Sequence, residues 1–371
     1  MKKIVFDIGY LMAITKSKII NKILISSYQV IDTFKDLPEN TIQPNRIMTH
    51  PYLTNNNDSN LDIFKLSDLQ DFDTIIIQSC TGTGKTTATA KHFKAFNENR
   101  YVDIKILSII DRITLANQHV KSFNDYNIKI DNYENTKFDN QNYVVCINSL
   151  MKIRLTSDDL KNYIVYIDEI NSFIKHLTHN ETLDRNLKDI FTNLMFIIKH
   201  AYKVVVSDAV ISDSVFDLLK IRKNAVIYIK NDYKKYENIK AVRMRDENEF
   251  FDKINDHIEN NKHFSFGCDS CTIVEEFFLK MKENKTKEQL DKMILFTASS
   301  KFPITNASEQ FKDRFLFYSP AIETAVDITL NDKQDVFIYI RGLSIDPASS
   351  FQQATRTRNI NKLYYFCEKG Q

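Results

Sequence analysis

Thr74-Ile-Ile-Ile-Gln-Ser-Cys-Thr-Gly-Thr-Gly-Lys-Thr-Thr87 is the stretch on which the fold turns. A β-branched apolar run passes into a turn holding two of the chain's six glycines, and Lys85-Thr86-Thr87 then opens a segment rich in Ala and Thr. Strand, glycine turn and helix in that order predict a phosphate-binding loop. Glycines let consecutive backbone N–H groups converge on phosphate oxygens, and the helix N-terminus adds its dipole. Thr81, Gly82, Thr83, Gly84, Lys85, Thr86 and Thr87 are therefore expected to hold the phosphates of ATP. Lys85 would reach the β- and γ-phosphates, and the Thr86 hydroxyl would ligate Mg²⁺. The strict pattern asks for glycine five residues before Gly84, where this chain has Ser79.

On either side of that stretch, short β-branched runs alternate with segments of helical length. The runs are Ile104–Ile109, Tyr143–Ile147, Tyr163–Ile167 and Lys203–Ser207, then Phe264–Phe266, Met293–Phe296, Arg314–Phe317, Val336–Ile340 and Leu363–Phe366. Such alternation implies βαβ units and a mostly parallel sheet covered on both faces, an α/β fold. A charged connector near 222–235 carries one further run, Ala225–Ile229. The expected organisation is an N-terminal extension and linker over 1–60, a first lobe over 61–222 and a second over 223–371.

Composition narrows the setting. The 371 residues carry a formal net charge of +2, so no global electrostatic attraction to nucleic acid follows and any such site must be local. Five scattered cysteines make no disulfide framework. No run approaches the roughly eighteen apolar residues of a membrane span, and no secretory leader is read at the N-terminus. A reducing compartment, cytoplasm or nucleus, is expected.

A second motif follows in Tyr163-Ile-Val-Tyr-Ile-Asp-Glu-Ile-Asn171. A buried strand here delivers two adjacent carboxylates at its C-terminal end, where open α/β sheets place their ligands. Asp168 is expected to hold Mg²⁺ and Glu169 to orient and deprotonate the attacking water.

With loop and acidic pair in place, the segments around them resemble the motifs of superfamily 2 helicases. They are more closely similar to the herpesvirus-type replication-origin-binding helicases and their relatives in large DNA viruses. Ser108-Ile-Ile-Asp-Arg-Ile-Thr-Leu-Ala-Asn-Gln118 resembles the motif that touches the single strand, and Cys146-Ile-Asn-Ser-Leu150 the next contact motif. By that resemblance Arg112, Gln118 and Ser149 contact nucleic acid. Asn171 stands where better-known helicases carry Asp or His, and Val204-Val-Val-Ser-Asp-Ala209 is similar to the coupling motif. Tyr318-Ser-Pro-Ala-Ile-Glu-Thr-Ala-Val-Asp327 resembles a segment that puts Asp327 at the nucleotide. Phe351-Gln-Gln-Ala-Thr-Arg-Thr-Arg358 is similar to the final arginine motif, which makes Arg356 and Arg358 candidate arginine fingers.

The resemblance implies two tandem RecA-like parallel-sheet lobes forming an ATP-dependent motor. Single-stranded DNA is its expected track, replication proteins its expected company and a viral replication site in the host cell its expected place. Two departures qualify it. Thr355 and Asn359 replace the glycine and second arginine of the last motif, and no counterpart of the family's duplex-origin-recognition domain is read after it, so origin-specific binding is not expected. A helicase-derived module that binds nucleotide without unwinding is the alternative reading, and a nucleotide kinase is a further one.

Ser350–Asn359 is expected to be a short helix. Residues two apart on a helix diverge by about 200° around its axis, so Arg356 should face the cleft, and Arg358 would help only if the chain leaves helical geometry beside Asn359. Cys268 with Cys271 and His176 with His179 lack the further ligands a metal needs, and Lys234-Lys235 reads as solvated surface.

Overall fold

Every residue of Tyr163–Asp168 and Lys203–Asp208 is buried, the pattern of strands covered on both faces, which a parallel sheet requires. The computed structural model describes residues 42–54, 62–98, 104–133, 142–179, 186–222, 225–297, 299–300, 306–320, 328–342 and 347–368. Among them, β1 (Arg46–Met48), β2 (Thr74–Gln78), β3 (Lys105–Ile110), β4 (Ile130–Asn132), β5 (Asn142–Cys146), β6 (Tyr163–Asp168), β7 (Lys203–Asp208) and β8 (Val226–Asn231) make one sheet. Their spatial order is β1-β8-β2-β7-β6-β3-β5-β4, and every pairing is parallel.

A second parallel sheet holds β9 (Lys240–Arg243), β10 (Phe264–Cys268), β11 (Met293–Phe296), β12 (Phe315–Tyr318), β13 (Gln334–Ile340) and β14 (Ile360–Cys367), in the order β11-β12-β10-β13-β14-β9. Two tandem α/β lobes result, as expected.

Sheet membership differs from the expected spans at both ends of the first lobe. Arg46–Met48, inside the anticipated extension, pairs with β8, and β8 itself pairs with β2 at the sheet's interior. The run taken as a connector strand is thus an internal strand of the first sheet, joined on its far side to a segment some 180 residues earlier. Arg222 fastens the base of this arrangement. Its guanidinium donates to Thr74 Oγ1 at 2.8 Å and to the carbonyls of Ile198, Ala201, Asp73 and Tyr202 at 2.6 to 3.2 Å.

Each lobe has its own apolar core. In the second, which contains no Trp, phenylalanines fill the space. Phe250 meets Phe266, Phe277, Phe337 and Tyr339 edge-on with ring centroids 5.7 to 6.1 Å apart. Such pairs add about 0.5–1.5 kcal/mol each beyond area burial. Among the described residues no helix is long and apolar enough to cross a membrane.

The expected helix at 350–359 is corrected. The helix runs Pro347–Ala354 and ends before either arginine. Arg356 and Thr357 tighten onto Gln353 and Ala354 carbonyls, after which Thr357 forms a parallel bridge with Ile328. Ile328 N donates to the Arg356 carbonyl, and Arg358 N donates to the Ile328 carbonyl, both at 2.9 Å. Two threonines, stiff at χ1 and poor helix formers, favour this exit. Arg356 and Arg358 lie beyond the helix end, in a turn and a bend on either side of the Thr357 bridge, and the helical divergence does not apply.

Candidate nucleotide site between the lobes

β2 ends at Gln78, and the chain then turns through Gly82 and Gly84, both with φ near +80°, into the helix Lys85–Glu98. Those φ values lie where residues with a Cβ are strained, so the turn needs glycine at both positions. The helix buries Ala88, Thr89, His92, Phe93 and Phe96 on one side, which fixes its axis against the sheet. Lys85 Nζ donates to the Ser79 carbonyl at 3.2 Å and so folds back over the loop. Ser79, in place of the usual glycine, acts as a brace. Its hydroxyl lies 2.6 Å from Thr83 Oγ1 and accepts from Asn231 Nδ2 at 3.0 Å. Leu53 N donates to the Thr83 carbonyl at 3.0 Å, closing the loop from the N-terminal side. Thr81 and Thr83 are buried and Thr87 is exposed.

The acidic pair arrives on β6. Sheet register sets Asp168 beside Ser207, whose hydroxyl donates to Asp168 Oδ1 at 2.5 Å, while Thr86 Oγ1 donates to Oδ2 at 2.8 Å. Burial pushes the Asp168 carboxyl upward, but His119, Lys85 and Ser207 together outweigh it and hold the group well below the usual carboxylate range. His119 is buried on the helix Ile113–Asn124, with Nε2 3.6 Å from Asp168 Oδ2 and Nδ1 2.8 Å from Ser108 Oγ.

Glu169 behaves oppositely. Burial raises its pKa, Arg356 opposes that, and the neighbouring Asp168 and Asp208 add to it. Its backbone has φ 50°, strained for a residue bearing a side chain, and its amide donates to Asp168 Oδ1 at 3.0 Å. Asn171 completes the box. Its backbone N–H donates to Asp208 Oδ2 at 2.8 Å, while its side chain donates to the Val210 carbonyl and accepts from Ser212 Oγ. The Asp-Glu segment and the segment after β7 are thus tied together.

Across from these groups the second lobe presents both arginines. Arg356 Nη2 donates to Glu169 Oε1 at 3.3 Å, with side chains only 5% and 12% exposed. Arg358 Nη1 stands 3.0 Å from the position a Cβ on Gly82 would occupy. Lys85, Thr86, Asp168, Glu169, Arg356 and Arg358 therefore meet in one place, drawn from the start of the helix Lys85–Glu98, the C-terminal end of β6 and the turn after Ala354.

The remaining anticipated residues divide. Arg112 sits at the N-terminal boundary of the helix Ile113–Asn124, Nε 3.5 Å from Asp111 Oδ2, and Gln118 is exposed on the same helix. Ser149 is buried and donates to Tyr133 Oη at 2.9 Å. Asp327 falls outside the described residues. Sequence reading missed Ser207, His119 and Asn231. Ser207 lies inside the quoted coupling motif and His119 follows Gln118 directly, so both had a signal; Asn231 had none.

The family described as "Type III restriction enzyme, res subunit" matches residues 19–207, half of the chain. The chain belongs to that family. No curated protein matches the sequence. Among solved structures, the chain resembles the DUF1998 helicase MrfA bound to DNA, with TM-score 0.59 and 15% identity over 92% of this chain and 56% of that one. It also resembles Mss116p bound to ssRNA and AMP-PNP, with TM-score 0.56 and 16% identity over 80% and 67%. S. cerevisiae Dbp5 bound to RNA and ADP BeF3 is similar at TM-score 0.53 and 16% identity over 81% and 80%. At these identities the likeness is one of fold. Within this family the fold is that of a superfamily 2 helicase core, a coarser placement than the origin-binding type that the motifs resemble.

Proposed function

We propose that the chain is an ATP-driven motor on nucleic acid, with single-stranded DNA as the favoured track. The observation that carries this is the contact of Arg356 with Glu169 across the lobes, beside a phosphate loop and an ionised Asp168. Thr81 to Thr87 would cradle the phosphates, and Lys85, Arg356 and Arg358 would balance charge on the transferring phosphoryl group. Arginine fingers of this kind contribute roughly 10³–10⁵ in rate. A hydroxyl and an ionised buried carboxylate 2.8 Å apart, Thr86 and Asp168, suit Mg²⁺, a hard cation that takes oxygen ligands. When bound there, Mg²⁺ would neutralise phosphate charge. Glu169, raised toward neutrality by burial, suits the base that accepts a proton from the attacking water.

Hydrolysis would remove the terminal phosphate from beside Arg356 and Glu169, and the strand contacts at Arg112 and Gln118 would shift as the lobes reopened. His119, one residue from Gln118, stands against Asp168 and gives that helix a direct connection to the catalytic carboxylates. A role in viral DNA replication has only the motif resemblance behind it.

The test is steady-state ATP hydrolysis by the full chain with and without single-stranded DNA or RNA. Turnover stimulated by nucleic acid and abolished in Lys85→Ala is expected. Turnover indifferent to nucleic acid would leave the non-unwinding nucleotide module as the better account.

A further inference from the structure

Asp232–Ile239 joins β8 to β9 and so connects the two sheets. Lys235 lies in it, half-buried. Its Nζ stands 3.1 Å from the point a Cβ on Gly82 would occupy, next to Arg358 Nη1 at 3.0 Å from that point. Two cations from different segments thus converge on one glycine of the phosphate loop.

Their approach is built rather than accidental. The Lys235 ammonium lies 5.5 Å from the centroid of the Tyr236 ring, and Tyr236 Oη donates to the Thr355 carbonyl at 3.2 Å. That same carbonyl accepts from Arg358 Nη1 at 3.2 Å. Connector and arginine turn are therefore one platform, bringing two like charges to the same glycine of the phosphate loop. An anion held at the phosphate loop would meet both charges. Gly82, with φ +81° and no Cβ, is what lets both cations come this close to the loop backbone.

We propose that Lys235 is a phosphate-binding residue of the nucleotide site, forming with Arg358 a clamp on the oligophosphate tail that the connector itself carries. This rests on the nucleotide reading above and adds to it a residue supplied by the hinge between the lobes. Tail charge would draw the connector onto the phosphate loop and loss of that charge would release it, so nucleotide state and hinge position are coupled through one ammonium.

The experiment is equilibrium binding of Mg·AMP-PNP to the full chain, with inorganic tripolyphosphate as a competitor that has no base or sugar. Lys235→Met should weaken both by about tenfold, the worth of one charge-assisted hydrogen bond, with an unchanged melting temperature. Lys235→Arg, which keeps the charge, should stay within about threefold of the parent. Parent-like binding of both probes by Lys235→Met would overturn the proposal. Lys85→Ala is the control on the underlying reading: if it binds AMP-PNP as the parent does, the loop is not a nucleotide site and both inferences fall together.

Discussion

Glu169 and Asp168 are adjacent carboxylates held in opposite electrostatic conditions. Asp168 receives hydrogen bonds from Ser207 and Thr86 and is kept ionised, whereas Glu169 is buried with Arg356 as its counter-charge and is raised. Divergent environments of this kind separate a metal carboxylate from a base. A base must be ionised to act, so hydrolysis should decline as pH falls through the raised Glu169 pKa, while Asp168 stays ionised throughout. Arg356 lowers the Glu169 value, and its removal should raise it further. Arg356→Gln is therefore expected to move the acidic limb of the kcat–pH profile to higher pH, in addition to slowing turnover. An acidic limb that stays in place would show that Glu169 is not the titrating base. Glu169→Gln should retain AMP-PNP binding and slow hydrolysis by about 10²–10⁴-fold.

The element that decides the arginine geometry is the helix Pro347–Ala354 together with its exit. Thr357, bridged to Ile328 and donating through Oγ1 to Ser265 Oγ at 3.1 Å, fixes the exit that carries Arg356 and Arg358. Replacing Thr355 and Thr357 together by Ala favours continuation of the helix, by several tenths of a kcal/mol per position. It would turn Arg358 away from Gly82 although both arginines remain. The double substitution is expected to cut ATP turnover at least about tenfold with the fold intact, a loss on the scale of a displaced catalytic group. Turnover equal to the parent would mean that the exit geometry is not what aims Arg358.

This is also where sequence reading reached its limit. The continuous apolar runs of β2, β6 and β7 announce themselves, and the phosphate loop and acidic pair follow at their ends. What aims Arg358 is a partner at Ile328, thirty residues upstream, and nothing local to Phe351–Arg358 encodes that meeting. β1, β4 and β9 are three or four residues long and only partly buried, too short for a periodic pattern to show. Lys235 reads as solvated surface in sequence because its neighbour Gly82 belongs to another lobe element altogether.

On the scale of the whole molecule, the first sheet is completed late. β2 lies between β7 and β8, so the strand carrying the phosphate loop has one edge open until residues 226–231 join it. A fragment ending at residue 222 should expose that edge and the apolar faces beside it. Expressed alone, residues 1–222 are expected to aggregate or bind ANS, while residues 1–239 stay soluble and melt cooperatively. Equal behaviour of the two fragments would mean that β8 is dispensable to the first lobe.

The same pairing sets a schedule during translation. Gln78 and Tyr228, hydrogen-bonded neighbours in the finished sheet, are separated by 150 residues of chain. At roughly 5–20 residues per second, β2 emerges about 8–30 s before the strand that covers it. Through that interval Thr74-Ile-Ile-Ile77, fully buried in the native lobe, waits beside the exit tunnel with an unfilled edge. The nascent chain is therefore expected to engage holding chaperones, and slowing the ribosome between β2 and β8 should lower the soluble yield.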